Sequence, residues 1–170
     1  MNKSELRRTL KQRRLEMSNA EHTVKSREIV ERLKAAVDWS GVQTVHFFEP
    51  IGELLEADIS GLITELEDNY PGISLFAPRQ IKGQWEMISL KAGQAPERFD
   101  VIIVPMLGFD PKSLHRIGYG GGYYDKFLAG QPKARKIGVC FEAGKTDRIP
   151  SESHDVPVDL IVTEAGTYPS

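Results

Sequence analysis

The chain has 170 residues, 22 Lys+Arg against 24 Asp+Glu for a formal net charge of −2, 40% hydrophobic residues and a single cysteine. A chain of this length buries about 70% of its unfolded surface, so one domain spanning 1–170 is expected to hold itself together without staples. Cys140 has no partner for a disulfide scaffold or a cysteine zinc cluster, which points to a reducing cytoplasmic setting. No stretch approaches the ~20 apolar residues of a membrane span, and the opening MNKSELRRTLKQRRLE lacks the apolar region of a signal peptide.

In chain order, Leu6, Leu10 and Met17 form a stripe at helical spacing, and Ser18 with Glu21 makes a capping box that opens a second helix. Ile29, Val30, Leu33 and Val37 are that helix's inward stripe. These helices carry an unusual charge: residues 1–34 hold ten Lys/Arg and five Glu, on a body of the opposite sign. From residue 42 onwards, short apolar runs alternate with helical patterns. Val42–Phe48 reads as a strand, Asp58–Asn69 as a helix, Ile73–Ala77 as a strand stopped by Pro78, and Trp85–Leu90 as a hairpin strand. Further strands are expected at Val101–Val104, Lys136–Cys140 and Leu160–Thr163, with a helix after Tyr123. Continuous β-branched runs such as VIIV suit strands covered on both faces. The fold class is therefore α/β, a single-domain open and mainly parallel sheet flanked by helices, with the two N-terminal helices packed on the body. Ligands of such sheets bind outside the carboxyl ends of the strands, here the loops after Phe48, Val104 and Cys140.

Three constellations could carry chemistry. In Arg116-Ile-Gly-Tyr-Gly-Gly-Gly-Tyr-Tyr-Asp125, four glycines fall within residues 118–122. Without Cβ atoms such a loop can turn successive N–H groups towards phosphate oxygens, and Arg116 adds a permanent cation. A lone glycine would be explained by turn geometry; four flanked by Arg, Tyr-Tyr and Asp favour a phosphate cradle. It matches neither G-x-x-x-x-G-K-[ST] nor G-x-G-x-x-G, because Tyr123 stands where the third glycine belongs. Second, Lys3 and Arg7 share a helical face, continued loosely by Lys11 and Arg14. A solvated basic face is the plainer account of these four. Third, Ile149-Pro-Ser-Glu-Ser-His-Asp155 places a carboxylate in a loop before a strand; with Asp125 it offers the hard oxygens that Mg²⁺ takes. Asp125 equally suits a helix N-terminus, and His154 a surface position.

With Lys3-x-x-Leu6-Arg7, the Glu56-x-Asp58 segment, the IIVP strand end with Phe109-Asp110, R-I-G-Y-G-G-G-Y-Y-D and the closing I-P-x-E-x-H-D, the chain resembles the 5-formyltetrahydrofolate cyclo-ligase family. That resemblance implies Mg·ATP-dependent closure of 5-formyltetrahydrofolate to 5,10-methenyltetrahydrofolate through phosphorylation of the formyl oxygen, by a monomer that binds neither nucleic acid nor membrane. It implies that Lys3, Arg7, Arg116, Ile117, Gly118, Tyr119, Gly120, Gly121, Gly122, Tyr123 and Tyr124 hold ATP, with Arg116 and Tyr123 catalytic. Asp125 and Asp155 would hold Mg²⁺, and Ile51 and Glu56 would meet the folate. The chain departs from the family pattern on the folate side: residues 77–100 are short, G-x-x-E-P is missing, and Glu53 competes with Glu56 as the pterin carboxylate. A paralogue acting on another small substrate with the same Mg·ATP site is the alternative enzyme. A non-catalytic folate or nucleotide binder, or a nucleic-acid binder using the basic helices, are the non-enzymatic ones.

Overall fold

The computed structural model describes residues 1–91 and 93–170; Ala92, within the short 77–100 stretch, lies outside them. The chain opens with helix α1, Lys3–Leu15, started by a full capping box: Asn2 Oδ1 accepts from Glu5 N, and Glu5 Oε2 accepts from Asn2 N, each at 2.9 Å. Helix α2, Asn19–Ala36, begins where predicted, with Ser18 Oγ accepting from Glu21 N at 3.1 Å. Next come β1 (Thr44–His46), α3 (Ser60–Asn69), β2 (Ser74–Ile81), β3 (Gln84–Ser89) and β4 (Val101–Pro105). A small hairpin of β5 (Gly108–Phe109) and β6 (Arg116–Ile117) leads into α4 (Tyr123–Ala129), and β7 (Arg135–Val139), β8 (Leu160–Val162) and β9 (Thr167–Tyr168) complete the chain.

Seven strands form one sheet in the order β3-β2-β1-β4-β7-β8-β9; the five central strands run parallel and the two edges antiparallel. The period of two decides its faces. Val101 and Ile103 of β4 point to one side with Val45, Leu75 and Ile137, where Ile29 and Leu33 of α2 and Leu62 and Leu66 of α3 cover them. Ile102 and Val104 point to the other side with Phe76 and Ile161, beneath Leu128 of α4. The VIIV run is thus buried on both faces, as its lack of alternation predicts.

One expectation needs correction. The strand that begins near Ile73 does not stop at Pro78 but continues to Ile81. Leu75 and Leu90 form a hydrogen-bonded pair, so by antiparallel alternation Pro78, opposite Met87, directs its missing N–H away from β3. On that other side β1 has already ended, so no ladder bond is lost. Helix α1 packs on the body as expected, and on neither sheet face. Leu6 and Leu10 pack on Leu107, Ile117 and Ile149 in a separate cluster, which sets α1 across the carboxyl ends of the strands.

Candidate active site

At that carboxyl edge lies a cavity of about 670 Å³, lined by the loops after β1 and β4 but, contrary to expectation, not by the loop after Cys140. Its floor is the loop after β1 and the ends of β2 and β4, and its roof is the N-terminus of α1 with the glycine loop. The β5–β6 hairpin registers Phe109 against Arg116 and Gly108 against Ile117, and so aims the following residues over the cavity. Gly120 has φ +98° and Gly122, the residue before α4, φ +70°, both in the region that favours glycine. A Cβ on Gly120 would sit 3.5 Å from the Arg7 guanidinium carbon, and Arg7 Nε donates to Gly118 O at 3.0 Å. Since α4 has only seven residues, its dipole is short, and the positive charge beside the glycine loop comes from the side chains of Lys3, Arg7 and Arg116.

Each proposed metal carboxylate is matched to one of those cations. Arg116 Nη2 donates to Asp125 Oδ1 at 2.7 Å and Arg116 Nη1 to the Val156 carbonyl, with the arginine side chain 7% exposed. Val156 N donates to the same Asp125 oxygen at 3.2 Å, so the loop carrying Asp155 is tied to the start of α4. Lys3 Nζ lies 2.7 Å from Asp155 Oδ2, which also accepts from Glu152 N at 2.8 Å. Against the burial that would raise it, these two donors hold Asp155 below the ordinary carboxylate range. Among the described residues no three His, Cys, Asp or Glu side chains gather as a metal cage. Two carboxylates beside a phosphate-sized cationic cradle do fit Mg²⁺, which keeps several waters and takes its other ligands from phosphate oxygens.

At the other end, Glu56 is buried, and its Oε2 accepts from Ile51 N at 2.9 Å. Burial raises its pKa, opposed by that N–H, by Arg14 and by the Tyr119 hydroxyl. Glu56 lines the cavity with Phe48, Pro50, Ile51 and Leu54. Glu53 sits on the exposed turn Gly52–Leu54 and does not line it. The structure thus brings all the sequence-derived site residues to one space, from Lys3 and Arg7 through Ile51 and Glu56 to Arg116–Asp125 and Asp155.

Other lining residues were not singled out in the sequence. Arg79, just past Pro78, donates through Nε and Nη2 to the two Glu49 oxygens at 3.0 Å each, and Trp85 of β3 lies 5.5 Å from the Tyr123 ring. Arg79 was hidden by the expectation that the strand stops at Pro78, while Trp85 was expected in a hairpin strand with nothing to place it at the site. Arg14 departs further: expected on a solvated basic face, it is 6% exposed. The signal was present, because Arg14 falls four residues after Leu10 and three before Met17, on the apolar stripe itself.

An open, mainly parallel sheet with a cavity outside its carboxyl ends defines an α/β protein of the small-molecule-binding kind. Residues 76–164 match the model of the 5-formyltetrahydrofolate cyclo-ligase family, and the chain belongs to that family. A relative from Mycoplasma pneumoniae, a 5-formyltetrahydrofolate cyclo-ligase, is 27% identical over 96% of this chain and 99% of its own. A solved 5,10-methenyltetrahydrofolate synthetase from Mycoplasma pneumoniae superposes with a TM-score of 0.81 at 26% identity, covering 96% of this chain and 99% of that one. The NMR structure of the Aquifex aeolicus 5,10-methenyltetrahydrofolate synthetase gives 0.80 at 28% identity, over 98% and 92%.

Proposed function

We propose that the protein is a 5-formyltetrahydrofolate cyclo-ligase that uses ATP to close 5-formyltetrahydrofolate to 5,10-methenyltetrahydrofolate, releasing ADP and phosphate. The observation that carries this reading is that the three cations, the glycine loop and the buried Glu56 all wall one cavity. In this reading the γ-phosphoryl group passes to the formyl oxygen, the arylamine nitrogen of the folate attacks the activated carbon, and phosphate leaves with that oxygen. Such a sequence needs no protein nucleophile; it needs positioning and charge.

Lys3 and Arg7 would hold the outer phosphates from the side of α1, and Gly118–Gly122 would follow the backbone of the triphosphate. Arg116, fixed by Asp125 and Val156, would meet charge developing on the transferred group. Burial raises the pKa of the Tyr123 hydroxyl, so it keeps its proton and can donate to a phosphoryl oxygen. Asp125 and Asp155 would hold Mg²⁺, which supplies charge neutralisation on the phosphates. Binding would then exchange partners, Lys3 passing from Asp155 to phosphate. Glu56 would accept from the adjacent N–H donors of the pterin, with Ile51 as an apolar wall. The protein would act as a cytoplasmic monomer; no helix among the described residues is long and apolar enough to cross a membrane.

The test is the near-ultraviolet absorbance of the methenyl product after mixing with Mg·ATP and 5-formyltetrahydrofolate. Product is expected from the wild type and from Glu53→Gln, with Arg116→Ala slowed by about 100-fold or more. ATP binding without product would overturn the reading in favour of a paralogue acting on another substrate.

A further inference from the structure

Resting on the reading of Glu56 as the pterin carboxylate, we propose that His22 and Ser26 of α2 are positioning residues for folate binding: they clamp the backbone on either side of Ala57 and so set the direction in which Glu56 enters the cavity. His22 Nε2 donates to Glu56 O at 2.6 Å, and Ser26 Oγ accepts from Asp58 N at 3.0 Å. The two side chains are four residues apart, one turn along a single face of α2. Because a carbonyl oxygen only accepts, the proton of a neutral His22 ring sits on Nε2. The ring is itself held, with its centroid 5.6 Å from that of buried Phe141.

The clamp matters because Glu56 lies between elements. β1 ends at His46, the turn Gly52–Leu54 closes on Leu55, and α3 starts at Ser60, so neither a ladder nor a helix fixes Glu56–Asp58. Glu56 and Ala57 are buried nonetheless. Buried C=O and N–H groups need partners, and here the side chains of α2 supply them. Leu55, immediately before Glu56, has φ +48°, a left-handed conformation that costs any residue but glycine free energy and persists only where the surroundings enforce it. On the near side of the loop Ile51 N donates to Glu56 Oε2 at 2.9 Å, and from α1 Arg14 Nη1 reaches Leu54 O at 3.5 Å. Glu56 is thus held at one carboxylate oxygen by its own loop and at its backbone by α2. Accepting from two adjacent N–H donors requires the carboxylate plane to be set beforehand, and a single bond to Oε2 leaves that plane free to turn unless the backbone is fixed as well.

The measurement is the Kd for 5-formyltetrahydrofolate and, separately, for ATP, by titration calorimetry on the full chain. His22→Phe keeps a ring against Phe141 but has no donor; it is expected to weaken folate about tenfold, the worth of one hydrogen bond, and to leave ATP within about twofold. His22→Gln, which still donates, recovers most of that loss. Ser26→Ala weakens folate in the same sense, and carries the test if His22→Phe fails to fold. Leu33→Ala, at a fully buried position of the same helix, is the control for destabilisation alone and keeps both Kd values. In a Glu56→Gln background, itself weakened for folate, either substitution in the clamp should add less than about twofold, since residues acting through one group are not additive. An unchanged folate Kd in the clamp variants, an equal loss for folate and ATP, the same loss in Leu33→Ala, or full additivity with Glu56→Gln overturns the proposal. A folate Kd untouched by Glu56→Gln would instead overturn the reading of Glu56 on which the proposal rests, and absence of any folate binding by the wild type the reading of the site itself.

Discussion

At the scale of single residues, His46 shows what the sheet demands of a polar group inside it. The ring lies between Phe127, Phe99 and Tyr124, at centroid distances of 4.5, 5.4 and 6.0 Å, and neither ring nitrogen has a hydrogen-bond partner. Burial drives its pKa down to about 3. The folded protein therefore keeps His46 neutral where the unfolded chain, titrating near 6.5, takes a proton. The sign follows: stability is complete above pH 6.5 and is lost as pH falls below it, by up to about 1.4 kcal/mol per pH unit. Glu56, with a raised pKa, acts in the opposite sense over its own range, so the comparison must be between variants. Denaturant melts from pH 7 to 4.5 should show a shallower acid loss in His46→Leu than in the wild type; equal slopes would refute a neutral buried His46. Nothing in the sequence marked this residue, since Val42–Phe48 reads as a strand whatever histidine does within it. The site residues were more legible because their chemistry demands unusual types. Four glycines and an arginine have few ordinary uses together, whereas the inward turn of Arg14 was masked by three neighbouring cations that do face the cavity or solvent.

At the scale of elements, the glycine loop was legible as a wall of the site but its support was not. Two-residue strands such as β5 and β6 carry no periodicity, so the hairpin that aims the loop is invisible to pattern reading. The same holds for β9, while α3 begins at Ser60 rather than Asp58 because Asp58 Oδ1 accepts from Ser60 N at 2.9 Å and stays outside the helix. Within the loop, Gly120 is the position that tests the conformation. At φ +98° a side chain is strained by more than the ~1–2 kcal/mol of a left-handed residue, although its Cβ would only touch the Arg7 guanidinium. Gly120→Ala should raise KM for ATP about tenfold and leave KM for the folate near its wild-type value. An unchanged KM for ATP would show that the backbone conformation seen here is not the one that binds nucleotide.

At the scale of the whole molecule, the sheet and its two covered faces followed from β-branched runs and helical stripes, because burial on both sides leaves a composition that can be read. The station of α1 did not follow: an amphipathic helix announces that it packs, not on what. Its docking has a measurable signature. Leu10 is 1% exposed, and Leu10→Ala should cost about 2–5 kcal/mol and weaken both ATP and folate, since α1 carries Lys3, Arg7 and Arg14. Leu66→Ala, removing a fully buried side chain from the cluster beneath α3, should cost as much stability and leave both KM values within about twofold. Similar losses of substrate affinity in the two variants would mean that α1 has no special tie to the site.

The contact between Lys3 and Asp155 joins positions 152 residues apart. A chain emerging from the ribosome therefore has its glycine loop, its buried Glu56 and most of its sheet before the first lysine can find its acid. A polypeptide halted short of residue 155 lacks both the partner that holds Lys3 at the cavity mouth and β8, whose Ile161 and Val162 are fully buried, so the ion pair and the far side of the sheet are completed together.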